Sequence, residues 1–185
     1  MEFVPYDQFK DIKFIAEGGF SKIYKATWID GPIRGWNKSY GKPLCINYVN
    51  KYYGITQDPT TQEILIIMPY YNSGDLINYM TTDDFYSISW KTKLHYLRNI
   101  ITGLENIHKV NIIHRDFHSG NIFFDKKAKY TDTVIGDLGI SKSATETTDD
   151  NENYGIIPYM APEIFKGQKY TKASDIYSFG MIMWE

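Results

Sequence analysis

The sequence predicts an α+β fold in two parts, a small antiparallel β lobe over residues 1–71 and a mainly helical lobe over 72–185. Three observations carry this reading. Alternating β-branched and aromatic residues fill the first part, a three- and four-residue apolar period fills the second, and the texture changes near residue 72. In the first part IKFIAEGG (12–19) and SKIYKATWI (21–29) read as two strands around a glycine turn. YYGITQDPTTQEILIIMPYY (52–71) reads as a hairpin whose turn carries Asp58-Pro59. In the second, Leu94, Leu97, Ile100, Ile101, Leu104 and Ile107 share one face of a helix from about Ser89 to His108, with Ser89 as its N-cap. SKSATETTDDNENYG (141–155) is polar and acidic, the composition of an exposed loop, whereas ASDIYSFGMIMWE (173–185) is apolar enough to predict a deeply buried helix.

Composition narrows the function. A hydrophobic share of 43% supports a genuine core. The net charge of -2 comes from interspersed signs, so no basic face marks a nucleic-acid partner. One cysteine, Cys45, cannot form an internal disulfide and fits a reducing compartment. Neither a leader-like start nor an 18-residue apolar run occurs, so the expectation is a cytoplasmic or nuclear chain with no membrane span.

The chemistry is concentrated in IIHRDFHSGNIFFD (112–125), where two histidines, an arginine, an aspartate and an asparagine lie between apolar runs. A metal pair of His114 and His118, four apart, would need an acid after the first histidine; Arg115 stands there, and Gly120 breaks any helix. An incidental polar loop is the other reading of these residues alone. The C-terminal third of the chain decides against both. H-R-D-F-x-x-x-N is succeeded by Asp137-Leu138-Gly139 after Val134-Ile135, then by Ala161-Pro162-Glu163 and Asp175-Ile176-Tyr177-Ser178-Phe179-Gly180. Four ordered motifs at this spacing resemble a eukaryotic protein kinase, nearest in texture to the tyrosine-kinase-like group.

The resemblance implies a bilobal protein-kinase-like fold with ATP and Mg2+ between the lobes and a protein hydroxyl, on Ser/Thr or Tyr, as acceptor. By it, Asp116 takes the proton of that hydroxyl, Asn121 and Asp137 hold magnesium, and Arg115 meets a phosphate or acid of the activation segment. Candidate phosphate acceptors there are Ser141, Ser143, Thr145, Thr147, Thr148 and Tyr154, and His114 is a packed core histidine. Ala16-Glu17-Gly18-Gly19-Phe20-Ser21 resembles the Gly-rich loop, in which Gly18 and Gly19 let backbone approach phosphate. Ile23 would cover the adenine, Met68 stand as gatekeeper, the backbone of Pro69 and Tyr71 follow the adenine edge, and Asp75 lie near the ribose.

Departures from the family pattern are equally specific. No V-A-x-K lysine precedes the hairpin, and residues 36–49 are too few for both a strand of ~5 residues and a helix of ~11. Lys22 is one residue off the face where a substitute lysine would serve, and Lys25 lies further along the strand. The family continues for several helices beyond Glu185 and pairs the Glu163 position with an arginine there, so the apolar face of 173–184 is expected to lie open. These departures fit a truncated product of a kinase gene, slow or inactive, or a pseudokinase acting as a nucleotide- or partner-binding module. His118 and Ile156 match neither acceptor class, and the partner is a protein substrate or a regulatory protein.

Overall fold

The computed structural model describes residues 2–17, 22–32, 47–127, 130–139, 141–144 and 155–185. Gly18, Gly19, Ser21, Cys45, Thr145, Thr147, Thr148 and Tyr154 lie outside the described residues.

The chain forms two compact units, one of Met1–Cys45 with Lys51–Tyr70, the other of Ile46–Asn50 with Tyr71–Glu185. The first unit holds β1 (Glu2–Phe3), β2 (Phe9–Glu17), β3 (Lys22–Trp28), β4 (Gly54–Gln57) and β5 (Ile64–Ile67). β2 and β3 pair antiparallel, with register shifts between Lys10 and Lys13 and between Phe14 and Ala16. β4 and β5 form the expected hairpin, whose turn is fixed by Asp58: its Oδ1 accepts from Thr60 N–H at 2.7 Å and Thr61 N–H at 3.3 Å. β1 joins β4 in parallel, so this sheet is mixed where the sequence predicts antiparallel strands alone. Gly54 permits that approach, because a Cβ there would lie 2.2 Å from the Glu2 carbonyl oxygen.

The second unit holds α1 (Leu76–Met80), α2 (Asp83–Ser87), α3 (Trp90–Lys109), β6 (Ile112–Ile113), β7 (Ile122–Lys127), β8 (Tyr130–Ile135), β9 (Lys142–Ser143), α4 (Pro162–Phe165) and α5 (Lys172–Trp184). Its core joins Val49, Leu76, Ile100, Leu104, Ile107, Phe117, Ile122, Phe124, Ile135, Tyr159 and Ile182. Ser89 caps α3 as predicted, its Oγ accepting from Thr92 N–H at 3.2 Å. The buried stripe starts a turn later than predicted: Leu94 is exposed, and burial begins at Asn99, where α3 lies along β8. Gly103 sets that contact distance, since a Cβ would meet Tyr48 O at 2.6 Å and Ile135 Cδ1 at 2.9 Å.

Residues 46–50, assigned by sequence to the first lobe, belong to the second unit, because Ile135 N–H donates to Tyr48 O at 2.9 Å and Asn50 N–H donates to Ile135 O at 2.7 Å. The deep burial that the composition of α5 suggests holds for one side alone: the helix buries Ser174, Asp175, Ser178 and Ile182, and it exposes Ile176, Tyr177, Met183 and Trp184, the open apolar face also expected from the sequence. Its buried side is mostly the polar one, because Asp175 accepts from the loop after β6 and Ser178 donates to the Tyr159 carbonyl.

Candidate active site

That loop, 114–121, is held by its backbone. Asp175 on α5 is 1% exposed; its Oδ1 accepts from Arg115 N–H at 3.0 Å and its Oδ2 from His114 N–H at 2.9 Å. His108, at the end of α3, reaches the same Oδ2 through Nε2 at 2.8 Å. A buried carboxylate with three donors is satisfied, and it ties two helices to one turn of loop. α5 is in turn fixed by a capping box between Thr171 and Ser174. Arg115 adopts φ 73, a left-handed conformation that such anchoring can hold. Its guanidinium lies over the Tyr170 ring, 5.0 Å from the centroid.

His114 is fully buried, and its Nε2 contacts the Gly136 carbonyl at 2.9 Å. Burial pushes its pKa below the ordinary histidine value. The core role expected from sequence is the one observed.

Asp116, Asn121 and Asp137 are brought together by two hydrogen bonds. Asn121 Nδ2 donates to the Asp116 carbonyl at 2.8 Å, and Gly136 N–H donates to the Asn121 carbonyl at 2.8 Å. The second bond extends the β7–β8 register, which pairs Ile122 with Ile135, so Asp137 follows directly on the residue opposite Asn121. Gly136 must be small here, because a Cβ would lie 2.4 Å from the Phe123 ring. Asp137 has φ 48, is exposed, and accepts from Gly139 N–H through Oδ1 at 3.1 Å. The carboxyl of Asp116 is held below the usual carboxylate range, first by its contact with His118. Asn121 spends its amide nitrogen on Asp116, which leaves the amide oxygen to accept. An amide oxygen and an exposed carboxylate are hard donors, and they fit magnesium, which takes one or two carboxylates and completes its shell with water and phosphate. Among the described residues no group of three or more His, Cys, Asp or Glu is placed to hold a metal ion.

The remaining predicted positions fall in their own units. In the first unit, Ile23 lies on β3 opposite Ala16, and Met68 and Pro69 follow β5. Lys22 approaches Glu63 at 3.9 Å, and Lys25 lies over the Tyr70 ring at 4.0 Å. In the second unit, Tyr71 donates to Asn50 Oδ1 at 2.8 Å and stacks on Phe123 with centroids 5.4 Å apart. Asp75 caps α1, its Oδ1 accepting from Asn78 N–H at 2.8 Å and its Oδ2 from the Asn78 amide at 2.9 Å. Ser141 donates to the Leu138 carbonyl at 2.7 Å, and Ser143 lies in β9 opposite Ile112.

The protein kinase domain family matches residues 39–185. This chain belongs to the protein kinase family. The kinase domain is 34% identical over 120 residues to the serine/threonine/tyrosine-protein kinase HT1 of Arabidopsis thaliana, covering 65% of this chain and 30% of that protein. It is 34% identical over 146 residues to the probable serine/threonine-protein kinase WNK6 of Oryza sativa subsp. japonica, covering 78% and 32%. A probable serine/threonine-protein kinase of Dictyostelium discoideum is 26% identical over 193 residues, covering 94% of the chain and 11% of the relative. The chain thus spans a third or less of the length of these relatives. The α+β kinase-like fold read from the sequence is the fold of this family, whose members generally use ATP and Mg2+ and act on proteins. Among the described residues no helix is long and apolar enough to cross a membrane.

Sequence reasoning identified Asp175 as part of a motif but not as the anchor of the loop. The pairing across 60 residues of chain leaves no local signal. Tyr170 against Arg115 and His118 against Asp116 are further pairings absent from the sequence reading.

Proposed function

We propose that this kinase domain transfers the terminal phosphoryl group of ATP to a hydroxyl of a protein side chain, with Asp116 accepting the proton. The observation that carries the reading is the joining of Asp116, Asn121 and Asp137 through the Asn121 amide and the Gly136 N–H. Phosphoryl transfer needs positioned charge more than covalent chemistry, and these three side chains supply it. Asp116 orients the incoming hydroxyl and receives its proton as the oxygen bonds to the terminal phosphorus and the bond from that phosphorus to the bridging oxygen breaks, releasing ADP. Asn121 and Asp137 would hold Mg2+, which neutralises charge on the phosphate oxygens. Arg115 would bind a phosphate carried by the segment after Asp137. Gly18, Gly19, Ile23, Met68, Pro69, Tyr71 and Asp75 would contact the nucleotide. The relatives' names support serine or threonine acceptors, with tyrosine in one of them, and the loop sequence supports a tyrosine-kinase-like chain; the cytoplasm is the compartment this reading assigns.

Turnover is slow in this reading, because no V-A-x-K lysine is present to hold the nucleotide phosphates. The test is incorporation of labelled phosphate into a generic protein acceptor, with and without Mg2+. We expect slow, Mg2+-dependent transfer that falls by about 10²–10⁴-fold in Asp116→Asn. Transfer unchanged in Asp116→Asn would overturn the assignment. No transfer by the folded wild-type chain would favour the binding-module reading.

A further inference from the structure

His118 stands two residues past Asp116, with its side chain 12% exposed. Its Nδ1 accepts from Gly120 N–H at 3.1 Å, capping the 3-10 turn Ser119–Asn121. An imidazole nitrogen that accepts a hydrogen bond carries no proton, so the neutral ring bears its proton on Nε2. Nε2 is the atom that faces Asp116, 3.6 Å from Oδ2. The ring has little room to turn. Tyr159 packs beside it with centroids 5.8 Å apart, and the bond from Gly120 N–H holds its Nδ1.

The second donor at Asp116 reaches the same oxygen. Asn121 Nδ2 lies 3.5 Å from Oδ2 while bonding the Asp116 carbonyl. Among the described residues, both side-chain donors therefore converge on Oδ2, and Oδ1 receives neither. A carboxylate held by one oxygen presents the other in a fixed direction. We infer that His118 is a positioning residue for phosphoryl transfer: a tautomer-locked N–H donor that holds Oδ2 of Asp116 and leaves Oδ1 turned toward the acceptor hydroxyl. This rests on the reading of Asp116 as the proton acceptor. At 3.6 Å the contact is longer than a formed hydrogen bond. Such contacts are often long before substrate binds and shorten in the reactive complex.

The test is nitrogen NMR of the histidine rings in the full chain, at a pH where the imidazoles are neutral. The expected spectrum shows His118 protonated on Nε2 and bare on Nδ1, with an Nε2 resonance that shifts in Asp116→Asn. A proton on Nδ1 overturns the proposal, as does an Nε2 resonance indifferent to Asp116→Asn. Should Asp116→Asn not fold, Asp116→Glu provides the same comparison, and the wild-type tautomer is decisive against the proposal if it is the Nδ1–H form. A kinetic arm reads the role in turnover. His118→Ala lowers kcat about tenfold or more with KM for ATP unchanged, and His118→Gln, which retains an N–H, recovers most of it. Equal losses in both variants would count against a donor role. Absent wild-type turnover would count against the proposed activity alone, and the NMR result would still decide on His118.

Discussion

At the residue scale the loop from His114 to Asn121 depends on side chains that are far away in sequence. Asp175 gathers His114 N–H, Arg115 N–H and His108 Nε2, so the backbone bearing Asp116 is set by a carboxylate on another helix. His114 makes the loop's stability depend on pH. Burial holds its folded-state pKa below the ordinary 6.5, so below that pH the unfolded chain binds a proton that the folded chain refuses. Stability from this group is complete above the unfolded value and is lost as pH falls below it, by at most about 1.4 kcal/mol per pH unit. Urea denaturation on either side of pH ~6.5 should show this slope. His114→Gln, which has no proton to take up, should flatten it relative to wild type.

At the element scale the controlling contact is α3 against β8 and residues 48–50. Gly103 lies at its centre, 2.6 Å being the distance a Cβ would have from the Tyr48 carbonyl. Gly103→Ala has to push the helix away from Tyr48 and Ile135, and we expect it to cost about 1–3 kcal/mol, like other overpacked sites. Ser89→Ala at the exposed N-cap removes the hydrogen bonds to Thr92 N–H and Thr92 Oγ1 and should cost about 1 kcal/mol. Both are read from denaturation midpoints at unchanged m-value. A Gly103→Ala cost no greater than that of Ser89→Ala would mean that the helix has slack at this contact.

At the scale of the whole molecule the two units differ in what holds them. The second carries a connected apolar core, whereas Val4 is the buried apolar side chain of the first among the described residues. Phe14, Ile64 and Ile66 on its strands are 56%, 67% and 58% exposed, so its sheets contribute little burial of their own. Cooperative unfolding should therefore report the second unit. Binding of ATP with Mg2+ to the folded state would raise its midpoint by mass action, by about 5–10 °C when nucleotide is a hundredfold above Kd. The rise should require Mg2+ and disappear in Asp137→Asn. A midpoint that does not respond, in a chain that melts cooperatively, would remove nucleotide binding from the proposed function.

The sequence by itself determined the family, the strands before residue 72, the Asp58 turn, the Ser89 cap and the choice of Asp116, Asn121 and Asp137 as candidate catalytic residues. Those features are encoded locally, by side-chain period, by capping chemistry and by residues at fixed spacing within one segment. Tertiary structure decided the rest: that α5 turns its polar side inward toward the loop, that residues 48–50 join β8, that β1 pairs in parallel, and that His118 faces Asp116 through Nε2. Each of these depends on a partner distant along the chain or on the orientation of a ring. Neither is written in the spacing of residues, because it is packing that selects which face of an element is covered and which nitrogen of a ring meets which oxygen.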